Sequence, residues 1–90
     1  MACNFRIILH QDRESIHLKL TGDFDGSSAC ELLNTIKTCS GNTNKVFIHT
    51  EGIKDVHPFG QAVFYNNFHD VNKKNVSFIF TGENGTILVP

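Results

Sequence analysis

The stretch Ile16-His17-Leu18-Lys19-Leu20-Thr21-Gly22-Asp23-Phe24-Asp25-Gly26-Ser27-Ser28-Ala29-Cys30-Glu31-Leu32-Leu33-Asn34-Thr35-Ile36 changes its hydrophobic period midway, and that change decides the fold. Ile16, Leu18 and Leu20 alternate with His17 and Lys19, the period of two of a strand with one buried face, and Thr21-Gly22-Asp23 ends it. Ser28 and Glu31 then stand three apart as a capping box, hydroxyl and carboxylate satisfying free backbone N–H groups of a first helical turn. Ala29, Leu32, Leu33 and Ile36 recur at helical spacing, so one face of that helix is apolar. Ser40-Gly41-Asn42 supplies its stop, and Val46 to His49 forms the next strand. Strand, helix, strand at these separations demands a parallel crossover.

Outward from this unit the same arithmetic continues. Phe5, Ile7 and Leu9 alternate with Arg6, Ile8 and His10, a strand from Phe5 to His10 that the short connection Gln11-Asp12-Arg13-Glu14 turns back as an antiparallel hairpin. Downstream, Glu51-Gly52 and Lys54-Asp55 read as a loop ending in His57-Pro58, with proline suited to the first position of a helix. Val63, Phe64, Phe68 and Val71 give that helix its apolar stripe, Asn72-Lys73-Lys74-Asn75 closes it, and Val76, Phe78 and Phe80 alternate with Ser77, Ile79 and Thr81 in a fourth strand. Asn84-Gly85 has the composition of a tight hairpin turn.

The predicted architecture is α/β: a two-layer sandwich, ββαβαβ, with a four-stranded mixed sheet and two helices on one face, forming a single domain over residues 1–90. Phe5, Ile7, Leu9, Ile16, Leu18, Leu20, Val46, Ile48, Val76, Phe78 and Phe80 are expected to meet Leu32, Leu33, Ile36, Val63, Phe64 and Phe68. A core this small is marginal, and self-association is one expected compensation. The opposite face would show Ile8, Phe47 and Ile79 among Arg6, His10, His17 and Lys19, a mixed patch suited to contact.

Composition excludes several classes. Hydrophobic residues make up 40% and charged residues 19%, within the range of ordinary globular chains. A net charge of -1 provides no field for nucleic acid or anionic membranes, and no apolar run approaches the length of a bilayer span. With no tripartite signal at the N-terminus, a cytoplasmic location is expected. Three cysteines without CxxC spacing favour neither a disulfide framework nor a zinc knuckle. Cys30 is expected as a helix-packing thiol and Cys39 as a helix-end thiol.

Leu20-Thr21-Gly22-Asp23-Phe24-Asp25 resembles the Gly-Glu-Leu-Asp turn that precedes the first helix in the STAS family, the anti-sigma factor antagonist fold. Val46-Phe47-Ile48-His49 leads to Gly60 at the family's separation, without an insertion. The resemblance covers essentially the whole chain, although relatives usually continue past the fourth strand with another helix and this sequence is C-terminally short. Where the family reads Asp-Ser-Ser-Gly, this chain reads His57-Pro58-Phe59-Gly60. Phospho-regulated members carry a phosphorylated serine at the start of the second helix. Pro58, at the matching place, has no hydroxyl.

The resemblance implies a non-catalytic protein-interaction module in cytoplasmic regulation, similar to an anti-sigma factor antagonist that cannot be phosphorylated at the family site. Asp23, Asp25, His57, Pro58, Phe59 and Gly60 would form the partner-binding surface, facing an anti-sigma kinase-like protein. An alternative is a small soluble STAS subunit of a lipid-transport ABC system, its partner then a transporter ATPase. His57 reads as a surface residue entering a helix.

No enzymatic constellation is expected, since Gly-x-Ser-x-Gly and His-Glu-x-x-His are both absent. Gly22-Asp23-Phe24-Asp25-Gly26 carries two carboxylates and no following lysine, so it repels a phosphate rather than cradling it. His10, His17 and His49 fall on the sheet face away from the helices, with His10 and His17 as cross-strand neighbours. Two or three imidazoles could hold zinc, which leaves an enzyme or metal-binding protein using this face as a third reading, but no Cys or carboxylate stands at a spacing that predicts the fourth ligand, so isolated, solvated histidines are expected, with no metal and no cofactor.

Overall fold

The period-two and helical segments form six elements in a computed structural model, which describes residues 4–39, 44–71, 76–83 and 85, with only the backbone of 39 and 69–71. They are β1 (Arg6–Gln11), β2 (Ser15–Phe24), α1 (Gly26–Cys39), β3 (Lys45–Val56), α2 (Pro58–Val71) and β4 (Ser77–Thr81). The sheet order is β1-β2-β3-β4. β1 and β2 pair antiparallel, from Arg6↔Thr21 to Gln11↔Ile16, while β2–β3 and β3–β4 are parallel. The mixed sheet and two helices expected from the sequence are therefore present.

The even positions of the central strands form the core floor: Ile16, Leu18 and Leu20 from β2, Val46 and Ile48 from β3. Ala29, Leu32, Leu33 and Ile36 of α1 and Phe64 and Phe68 of α2 cover it from one side. Six of the eight phenylalanines, Phe5, Phe24, Phe64, Phe68, Phe78 and Phe80, run through this layer as a series of ring contacts, several edge to face. Such pairs contribute about 0.5–1.5 kcal/mol each beyond their buried area. Phe59 and Phe47 stand outside that series.

Several local expectations are corrected. Thr21-Gly22-Asp23 does not end β2, and Glu51-Gly52 and Lys54-Asp55 are not a loop. The two segments pair with each other, Thr21↔Gly52, Gly22↔Ile53, Asp23↔Asp55 and Phe24↔Val56, through register shifts after Lys19 and after Gly22. Mutual backbone pairing holds polar segments in strand form, and neither segment reveals that alone. Gly22 has φ +91° and passes so close to the Asn4 backbone that a Cβ would lie 2.4 Å from its carbonyl oxygen. Glycine is the residue for which both conditions cost little.

Leu9 is not core: it is 47% exposed on an edge strand, lining an open groove with Asn34, Thr35 and Thr38 of α1. Val76, Phe78 and Phe80 are only partly buried, packed against the cluster rather than within it. Cys30 is exposed and does not pack the helix. The side chains of Cys39 and Val71 lie outside the described residues, as do Ser40-Gly41-Asn42, Asn72-Lys73-Lys74-Asn75 and Asn84 of the expected hairpin turn.

Candidate partner-binding site and the histidine face

Both helices begin at the same end of the sheet, where β2 and β3 finish side by side at Phe24 and Val56. The His57 N–H donates to the Phe24 carbonyl at 2.9 Å, extending the strand pairing by one bond and fixing the entry to α2. The His57 carbonyl accepts the first helical bond, from Gln61 N–H at 3.0 Å. His57 is thus the N-cap and Pro58 the first helical residue, where its missing N–H leaves no bond unmade.

The N-cap of α1 is Asp25, not Ser28 as the capping-box reading has it. Asp25 Oδ1 accepts from the Ser28 N–H at 2.9 Å, and the Asp25 carbonyl accepts from Ala29 N–H. Ser28 lies three residues further in, fully buried, its hydroxyl 2.9 Å from the Asp23 carbonyl and 3.0 Å from Asp25 Oδ1. The Ser28 N–H bond holds the Asp25 carboxyl below the ordinary carboxylate range, against the opposing effect of desolvation.

The two helix starts touch through their glycines. A Cβ on Gly60 would lie 2.6 Å from the Asp25 carbonyl carbon and oxygen, and a Cβ on Gly26 would lie 2.6 Å from Phe59 Cε2. Phe59 therefore rests one ring edge on the bare backbone of Gly26 while remaining 72% exposed. Asp23, Asp25, His57, Pro58, Phe59 and Gly60 are drawn together at this end, with Asp55 Oδ2 3.8 Å from His57 Nε2. His57 is exposed, in agreement with its reading as a surface residue entering the helix. Residues 57–60 offer an exposed aromatic ring beside carboxylates and no hydroxyl group.

On the opposite sheet face the histidines are not isolated. His17 Nδ1 lies 2.9 Å from His49 Nε2, His49 Nδ1 lies 2.9 Å from Thr81 Oγ1, and the Thr81 hydroxyl donates to Glu51 Oε1 at 3.0 Å. The His17 and His49 ring centroids are 5.1 Å apart at 10°, the separation of two imidazoles lying edge to edge in nearly one plane. Phe47 stacks on His17 at 4.6 Å and 4°, shielding one face. Burial pushes the His49 imidazole pKa down, partly opposed by the Glu51 carboxylate. Glu51 in turn is held below its ordinary range, first by its own backbone N–H and then by Thr81. His10 does sit directly opposite His17 in the hairpin register, and its side chain is solvated. The signal missed in the sequence is the offset of two between β2 and β3, which brings His17 diagonally onto His49.

Among the described residues no helix is long and apolar enough to cross a membrane. No protein-family profile matches the sequence, and no curated protein does. Solved structures do match the fold. An anti-sigma factor antagonist from Mycobacterium paratuberculosis superimposes with a TM-score of 0.64 at 11% identity, over 88% of this chain and 69% of that one. The anti-sigma factor antagonist SpoIIAA in its unphosphorylated form gives 0.61 at 15% identity, over 84% and 70%. Mglu in its native form gives 0.73 at 9% identity, over 92% of this chain, which spans only 27% of the Mglu chain. The chain thus has the STAS-like α/β fold seen in the anti-sigma factor antagonists.

Proposed function

We propose that the chain is a single-domain, non-catalytic STAS-like module in cytoplasmic regulation, which binds a protein partner constitutively through the helix starts around Phe59. The observation that carries this reading is the exposure of Phe59, 72%, on a seat made by Gly26 between two helix N-termini. An aromatic ring that rests on bare backbone in the free chain is positioned in advance, so little ordering remains to be done on binding. Asp23, Asp25 and Asp55 give its surroundings negative charge, which suits a partner pocket that is apolar within and basic at its rim. Pro58 and Phe59 offer no phosphate acceptor, so the negative charge that would disrupt an interface beside these carboxylates is never added.

The test is a binding titration against the anti-sigma kinases encoded in the protein's own genome, with transporter ATPases as the competing class. Phe59→Ala is expected to weaken the complex by about 2 kcal/mol, roughly thirtyfold, and His57→Ala far less. Mass spectrometry after incubation with kinase and ATP should find no phosphate on residues 57–60. The reverse order of the two variants, or no complex with either class from a folded protein, would overturn the reading.

A further inference from the structure

The edge of the sheet at β1 has a complementarity of its own, independent of the partner-binding proposal. Among the described residues four large hydrophobics are exposed, and two of them, Ile8 and Leu9, are neighbours on this strand. Alternation sends them to opposite faces of the sheet, so what they share is the edge itself. The Asp12 N–H donates to the Ser15 carbonyl at 2.8 Å, so Asp12 turns its backbone groups toward β2, and by antiparallel alternation so do His10, Ile8 and Arg6. Ile7, Leu9 and Gln11 therefore turn their N–H and C=O groups outward, as a template for another strand. The other edge is less open. After β4 the chain turns back, the Gly85 N–H donating to the Gly82 carbonyl at 3.1 Å, and a Cβ on Gly85 would lie 3.2 Å from the Phe80 carbonyl.

We propose that β1 pairs antiparallel with β1 of a second copy of this chain, about a two-fold axis at Leu9, joining two four-stranded sheets into one. The strand and its flank read Arg6-Ile7-Ile8-Leu9-His10-Gln11-Asp12, with a cation at one end and an anion at the other. Turned onto itself about Leu9, this stretch sets Arg6 opposite Asp12 of the second copy, Ile7 opposite Gln11, Ile8 opposite His10 and Leu9 opposite Leu9. The outward-facing residues 7, 9 and 11 then supply the hydrogen-bonded pairs, and symmetry makes the Arg6–Asp12 contact twice. Neighbouring registers are poorer. A slip of two residues one way sets Arg6 against His10, the other way sets Ile8 against Asp12, and a slip of one misplaces every outward donor.

The groups this pairing uses are available to it. Arg6 is exposed, and none of the described ion pairs includes it. The Asp12 carboxylate is 62% exposed and meets His10 and His17 only at 3.9 and 3.8 Å, so it can turn to a guanidinium at little cost. β1 contains no proline and follows β2 without a register shift, so nothing in it bends the edge away. Leu9 lines a groove with Asn34, Thr35 and Thr38, and the axis, standing perpendicular to the sheet, keeps both helix layers on one face. Leu9 of the second copy therefore arrives at the mouth of that groove, with Cα atoms about 5.5 Å apart across the axis.

The test is sedimentation equilibrium of the tag-free full chain from micromolar to millimolar concentration, at about pH 8 so that the histidines are neutral. The chain should pass from one copy to two and stop there, because a two-fold contact closes on itself. Arg6→Asp sets like charges opposite each other twice and should weaken dimerisation by about tenfold or more. Combining it with Asp12→Arg reverses both charges and should recover the wild-type affinity to within about threefold. Both positions are exposed, so circular dichroism of the variants should match the wild type. Phe59→Ala should dimerise like the wild type, which separates this edge from the partner-binding surface. A wild-type monomer at millimolar concentration, assemblies larger than two, or a charge reversal that restores nothing Arg6→Asp has lost would each overturn the pairing.

Discussion

Alanine placed at each of the two glycines where α1 and α2 meet should have opposite consequences, because the obstacle differs in kind. At Gly60 the new Cβ would lie 2.6 Å from the Asp25 carbonyl carbon and oxygen and 2.8 Å from its Cα. That backbone is held by the cap bonds to Ser28 and Ala29, so it cannot yield without loosening the start of α1. Overpacking of this kind costs about 3 kcal/mol, and the helix propensity gained over glycine returns about 1, leaving a net loss of about 2 kcal/mol. For a domain of this size the melting temperature should fall by about 10 °C. At Gly26 the obstacle is the Phe59 ring, mostly in solvent and free to swing aside, so stability should stay within about 0.5 kcal/mol of the wild type. Evicting the ring should nonetheless reduce partner binding as Phe59→Ala does. Urea unfolding followed by circular dichroism, alongside the binding titration, reads both effects. Equal destabilisation by the two substitutions, or a Gly60→Ala protein as stable as the wild type, would refute the packing argument.

Asp25, whose pKa is lowered in the fold, contributes stability that is present above the ordinary carboxylate range and lost as pH falls through its lowered value. Asp25→Asn keeps an acceptor for the Ser28 N–H, so it should match the wild type near neutrality and show a shallower loss of stability in acid; unfolding curves across acidic pH would show otherwise if the two slopes coincide. Thr50 is fully buried and its hydroxyl donates to the Thr81 carbonyl, so Thr50→Val should cost about 1 kcal/mol in chemical denaturation, and a variant as stable as the wild type would remove that bond from the account.

The succession of elements was legible because each period extends over a turn or more: β1, the first half of β2, and the apolar faces of α1 and α2 all lie where alternation and helical spacing put them. Phe24 and Ile53 were not. Each sits between polar neighbours, Asp23 and Asp25 for one, Gly52 and Lys54 for the other, so their surroundings read as turn or loop. Both are buried because the ends of β2 and β3 pair with each other, a long-range fact with no local signature. The α1 cap was missed differently: Asp25 and Ser28 stand three apart just as Ser28 and Glu31 do, and the earlier pair holds the helix start. At the candidate site, the placement of His57 and Pro58 followed from proline chemistry alone. The seat of Phe59 on Gly26 did not, since it joins two helices 33 positions apart (59 − 26) through a contact only tertiary packing creates. The histidine network was half visible, because alternation gives the face and hides the register.

Among the described residues spatial order and chain order coincide in the sheet, β1-β2-β3-β4, so none of these four strands waits for a partner from beyond the next connection. A ribosome releasing this chain would deliver a hairpin, then one helix and one strand that dock on its edge, then another helix and strand on the new edge. Each addition closes a loop of modest length, whose entropic cost grows only with the logarithm of that length. The sheet can grow by accretion from one side, with β3 serving first as the newcomer and then as the template for β4. Substitutions at the β2–β3 pairing, such as at Ile48, should therefore slow folding, while those in β4 should chiefly hasten unfolding.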